Sequence, residues 1–119
     1  ILNIGINIEK TVHLGNIPAC FDGQELEYGF SGTVVTYCYK VTNPGEVPLN
    51  VVVTDGPVGT NESFLLPAGL STWVKKVSSI TADLSSQGIA VGTPTDADKT
   101  VTDMDPAGVK LVPNKPVCE

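Results

Sequence analysis

Few side chains in this sequence could do chemistry, and the densest group of them is acidic. Asp96, Asp98, Asp103 and Asp105 fall in one short stretch. Calcium takes about six to eight oxygens, and Asp-X-Asp spacing offers carboxylates to one side of a loop. The stretch lacks the glycine and the closing glutamate of an EF-hand, and Lys99 sets a cation among the acids. A solvated acidic turn is the plainer expectation and a calcium site the alternative; calcium is the one cofactor the sequence suggests. Glu25 and Glu27 are two acids in a loop, a pattern far commoner as solvated charge than as a glycosidase pair. His13 is the single histidine, with no serine or cysteine beside it in sequence, so it reads as a surface or half-buried residue on an edge strand. No glycine-rich phosphate loop leads from a strand into a helix. The sequence therefore predicts no catalytic residue, and a protein that is not an enzyme.

The three cysteines, Cys20, Cys38 and Cys118, have neither zinc-site spacing nor a Cys-X-X-Cys motif. One disulfide with one cysteine left over is the simplest account, and it points to an oxidising compartment. Cys38 shares parity with Thr36 and Lys40, so it faces away from the core side of its strand. A loop crossing that outer face would bring Cys20 to it. The expected bond is Cys20–Cys38, with Cys20–Cys118 as the rival. In the first case Cys118 is left to bond a neighbouring module. Asn61-Glu62-Ser63 is an N-glycosylation sequon between turn signals.

These groups must be positioned by strands. Residues 33–55 are the organising stretch. Val35, Tyr37, Tyr39 and Val41 lie on one side of an extended chain, Thr36, Cys38, Lys40 and Thr42 on the other. Asn43-Pro44-Gly45 breaks the run. Leu49, Val51 and Val53 then alternate with Asn50, Val52 and Thr54 until Asp55-Gly56-Pro57. The pair reads as a hairpin or as a crossing between stacked sheets, with the core under Tyr37, Tyr39, Val41, Leu49, Val51 and Val53.

The string V-T-Y-C-Y-K-V-T-N-P-G-E-V-P-L-N-V-V-V-T-D of that stretch resembles the immunoglobulin-like "conserved repeat" domains of surface proteins, a family of unknown function related to bacterial surface B-type repeats. Leu66-Pro67-Ala68-Gly69 resembles the turn before the family's next strand. Gly92 to Asp98 resembles an Asp-rich loop of some members. The likeness spans roughly residues 6–112 and is specific over 33–55. It implies an extracellular module, usually in tandem, with no catalytic residues to carry over.

Elsewhere Ile4, Ile6, Ile8, Val12 and Leu14 share one parity, a first strand with Lys10 as the exception on its apolar face. It is expected to pair as an edge strand; the alternative is that Ile1 to Ile4 adds to a neighbour's sheet. Residues 15–32 read as a long loop pinned by Cys20 and anchored by Phe21, Leu26, Tyr28 and Phe30, or else as a partner-binding loop. Trp73 and Val77 read as the core face of a strand over 70–77, with Trp73 in the core rather than a platform for sugars. A short strand near Ile80, a polar turn at Ser85–Gly88, a strand at Ile89–Val91, a loop over 92–108 and a last strand over 109–112 complete the reading.

At 119 residues the chain is the size of one domain. Its formal charge of −6, with seven lysines and no arginine, argues against nucleic acid as a partner. No apolar run approaches the roughly 20 residues of a membrane span. With neither an initiator Met nor a signal peptide, the segment reads as part of a longer precursor or array. The expectation is an all-β, immunoglobulin-like sandwich of about seven strands over residues 1–112, with 113–119 as linker or the start of a next module. Its expected role is structural: one repeat of a cell-surface protein or a subunit of an extracellular filament. Its expected partners are like domains, in the same chain or in neighbouring subunits. The alternative is a carbohydrate-binding or calcium-dependent adhesion module with glycan partners.

Overall fold

The computed structural model describes residues 3–95 and 99–113. Among these residues eight strands form two sheets: β1 (Asn7–Leu14), β2 (Leu26–Gly29), β3 (Val34–Thr42), β4 (Leu49–Asp55), β5 (Thr60–Leu66), β6 (Ser71–Ser79), β7 (Leu84–Pro94) and β8 (Val101–Leu111). One sheet has the order β1-β3-β6, the other β2-β8-β7-β4-β5. Every pairing is antiparallel except β2 with β8.

Between β3 and β4 the chain crosses from one sheet to the other; it does not form a hairpin. Asn43 holds the crossing. Fully buried, it donates through Nδ2 to the carbonyls of Val47 (2.8 Å) and Leu66 (3.0 Å), and its Oδ1 accepts from the Gly45 amide (3.0 Å). The inward faces of β3 and β4 then meet. Tyr37, Tyr39, Val41, Leu49, Val51 and Val53 are all buried there, joined by Ile8, Val12, Val35 and Val74.

Thr60–Leu66 forms β5, whereas Ile80, expected near a short strand, lies between β6 and β7. The segment expected as one long loop contains β2, laid parallel against the end of β8. The rest of that segment crosses the outer face of β3, where Cys20 bonds Cys38 with a Cα separation of 5.9 Å. Thr36 and Cys38, on the outward parity of β3, are buried by this cover. The loop's apolar residues do not enter the core, however. Phe21, Leu26, Tyr28 and Phe30 are exposed, so the disulfide and backbone pairing hold the loop where apolar packing was expected to.

Three further expectations are corrected. Trp73 does not face the core. It pairs with Lys40 on the outer face of its sheet, half-buried, while Val74 pairs with Tyr39 and takes the inward place. Ser85–Gly88 is no turn but the start of β7, and the supposed loop over 92–108 holds the ends of β7 and most of β8. Between Leu84 and Pro94 the inward face of β7 is Ser86, Gly88, Ala90 and Gly92, so there is no apolar alternation to see in the sequence over that span. Those positions must be small. A side chain at Gly88 would begin 2.7 Å from the Tyr39 ring.

β1 and β8 both run toward the same end of the sandwich. At one pole Asn3 exchanges hydrogen bonds with Glu46, its amide donating to Oε1 (2.8 Å) and its carbonyl accepting from the Glu46 amide (2.9 Å). At the other, Leu111 pairs with Gly29, and the Val112 amide donates to the Gly29 carbonyl (2.9 Å).

Candidate functional site: a buried lysine–aspartate pair

The parity that left Lys10 on the apolar face of β1 places its side chain between the sheets. The parity of Leu49, Val51 and Val53 continues to Asp55, so this residue also points inward from the end of β4. The two meet: Lys10 Nζ lies 2.6 Å from Asp55 Oδ2, and both side chains are 0% exposed. Two charges removed from water together are held only where further hydrogen bonds surround them.

Those bonds come from three strands. Lys10 Nζ also donates to the Ser86 carbonyl (2.8 Å) and to Ser86 Oγ (2.9 Å) on β7. The Tyr39 hydroxyl on β3 donates to Asp55 Oδ2 (2.9 Å) and lies 3.0 Å from Thr60 Oγ1. The ring centroids of Tyr37 and Tyr39 stand 5.0 and 5.9 Å from the ammonium, within cation–π range. Asp55 Oδ1 is buried, with no hydrogen-bond partner among the described residues. Burial pushes the Lys10 amine below its ordinary range, against the pull of Asp55 and Asp105. Burial pushes the phenols of Tyr37 and Tyr39 upward, with the Asp55 charge adding to the shift.

The acids expected as calcium ligands have a different setting. Asp103 Oδ2 accepts from the Ile8 amide (2.9 Å) and Asp105 Oδ2 from the Lys10 amide (2.8 Å). Each carboxylate thus reaches from β8 across the sandwich to the free side of β1. Val12 continues the series, exchanging backbone hydrogen bonds with Gln24. Asp96 and Asp98 lie outside the described residues, and among the described residues no group of three or more metal-binding side chains gathers. A cleft of about 370 Å³ opens beside Lys10, bordered by Asp22, Glu25 and Asp105.

His13 is buried, a correction to its expected surface or half-buried placement. Its Nε2 donates to the Phe21 carbonyl (2.8 Å), and its ring packs against that of Phe21 at 4.4 Å. Since a carbonyl only accepts, Nε2 carries the proton. Asn61 is exposed on β5, the edge strand of the larger sheet, rather than in a turn. Glu25 and Glu27 do not form a pair around any reacting group: Glu25 uses its carbonyl to accept from the Gly108 amide, and Glu27 belongs to β2. Cys118 lies outside the described residues.

No family model matches this sequence, and no curated protein does. Two solved structures share its general outline. A structural-genomics target, SoR45, has 14% identity and a TM-score of 0.45, covering 96% of this chain and 92% of its own. A Niemann-Pick type C2 protein from Japanese carpenter ant has 10% identity and a TM-score of 0.33, covering 90% and 92%. At these scores neither likeness carries an argument about what this chain does.

Proposed function

We propose that the chain is a structural module of an extracellular protein: an immunoglobulin-like repeat of a surface protein, or a subunit of an extracellular filament, whose partners are further domains of its own kind. The observation that carries this reading is the path of the chain, which enters the sandwich at the Asn3–Glu46 pole and leaves at the Gly29–Val112 pole. A module threaded in this way can be joined end to end without the chain doubling back. The Cys20–Cys38 bond supports an oxidising location. Among the described residues no helix is long and apolar enough to cross a membrane. A glycan on Asn61 would project from the exposed edge of β5 and shield it from pairing. The interior between the sheets is filled by core side chains and the Lys10–Asp55 pair, an arrangement suited to rigidity.

The experiment is light scattering together with electron imaging of material taken from its native source. Linear arrays or filaments with a domain-length repeat are expected. A dispersed single-domain monomer with no longer precursor would overturn the reading.

A second reading, a carbohydrate-binding module, draws on Trp73 being half-buried on an outer face. Lys40 Nζ stands over that ring at 5.8 Å and competes for it. Trp73 fluorescence unmoved by a panel of oligosaccharides would remove this second reading.

A further inference from the structure

The Lys10–Asp55 contact brings together the two halves of an amide: a primary amine and a carboxyl group, 2.6 Å apart and sealed from water. In water an amine and a carboxylate stay apart as ions because both ions are strongly hydrated. Here that hydration is gone, and the uncharged forms gain relative to the charged ones. The lowered proton affinity of the buried Lys10 amine agrees with this, since the neutral amine is the nucleophile.

We propose that Lys10 and Asp55 condense, with no other protein involved, into an intramolecular amide that cross-links β1 to the end of β4. A proton first passes from the Lys10 ammonium to the Asp55 carboxylate, giving amine and acid. The Nζ lone pair attacks Cγ. The Tyr39 hydroxyl, already donating to Oδ2, stabilises the negative charge that grows there. The Cγ–Oδ1 bond then breaks. In the tetrahedral intermediate the proton first taken up at Oδ2 and a second proton from Nζ pass to Oδ1, which departs as water. One C–N bond forms, one C–O bond breaks, and one water is released. No oxidant, reductant or activating group is consumed.

The surroundings fit the product better than the ion pair. Among the described residues no donor reaches the buried Oδ1, and it is the atom that leaves. The amide oxygen keeps the Tyr39 hydroxyl, and the single amide N–H keeps the Ser86 carbonyl. Both buried charges disappear. The bond joins the smaller sheet to the larger one, which the Cys20–Cys38 bond does not do. The inference rests on this geometry alone and stands whether or not the module works in an array.

The test is mass spectrometry on the full chain, made in a host that adds no glycans and then reduced and alkylated. The intact mass is expected to fall short of the sequence mass by one water. A tryptic digest is expected to give a branched peptide joining Lys10 to Asp55, with no cleavage after Lys10. Asp55-Gly56 and Asp22-Gly23 can lose water by succinimide formation instead, which leaves a linear peptide that hydroxylamine cleaves. The full sequence mass, or a water loss traced to such a linear peptide, overturns the proposal. Lys10→Met is expected to restore the full mass; a water loss that persists in it also overturns the proposal. Should that variant fail to fold, the wild-type mass and branched peptide decide.

Discussion

At the scale of single residues, the interior polar groups dominate. Asn43 makes three hydrogen bonds with backbone groups that are themselves withdrawn from water. Asn43→Ala leaves two carbonyls and an amide without partners, and should cost roughly 2–4 kcal/mol, read as a shift in the urea midpoint. The tyrosines give a pH dependence. Tyr37 and Tyr39 have raised affinity for their protons in the folded chain, chiefly through burial. A raised pKa means that the folded state holds these protons after the unfolded chain has begun to lose them. Their contribution is complete below the unfolded phenol value of about 10 and is lost progressively above it. Uncondensed Lys10 has the opposite sign. Its lowered folded value makes stability rise with pH toward the unfolded value of about 10.4. Denaturant titrations from neutral to strongly alkaline pH should therefore show a falling limb above about 10. That limb should shrink in Tyr37→Phe, and phenolate absorbance from Tyr37 and Tyr39 should appear only with unfolding.

At the scale of elements, the outer face of β3 depends on one bond. Cys20 and Cys38 are 18 residues apart, and closing that span is worth about 3 kcal/mol in the chain-entropy model. Cys38→Ala should lower stability by that order and raise proteolysis within residues 15–24 more than elsewhere, as limited digestion would show. β7 has a different vulnerability. Gly88→Val drives a branched side chain into the Tyr39 ring and should destabilise by several kcal/mol or prevent folding, whereas Gln87→Val on the exposed parity should change little. β3 and β4 could be read from the sequence because their apolar residues alternate cleanly, and the parity of Cys38 was enough to favour its bond to Cys20. β7 and most of β8 could not. Along their middles the inward residues are Ser86, Gly88, Ala90 and Gly92 on one and Asp103, Asp105 and Ala107 on the other, with the apolar Leu84, Val101 and Val109 toward the strand ends. Each middle residue is small or acidic because Tyr39, Leu49 and the amides of β1 occupy the space or supply the donors. The Lys10–Asp55 pair was half legible. Lys10 stood out on an apolar face, and Asp55 continued the parity of Leu49, Val51 and Val53. Nothing in a spacing of this length joins one to the other, since only the stacking of the two sheets does so.

At the scale of the whole molecule, β2 explains the two poles. It runs in the same direction as β1, so the usual up-and-down alternation is broken once, and eight strands still carry the chain from one end to the other. With Cys20 and Cys38 bonded, Cys118 is the cysteine left over in the sequence. If neighbouring modules are joined through it, native assemblies should survive detergent and shorten under reducing agent. Alkylation of Cys118 without prior reduction, in material running as a monomer on a non-reducing gel, would count against that covalent junction. The treatment of β1 matters most in such an assembly. The outward amides of Ile8, Lys10 and Val12 are already held by Asp103, Asp105 and Gln24. In a string of like domains, the most abundant competitor for an open strand is the same strand in the next link, kept near by a short tether at an effective concentration on the order of millimolar. Two carboxylates and one backbone carbonyl deny that competitor its hydrogen bonds. Each link can therefore fold on itself while crowded by its own copies.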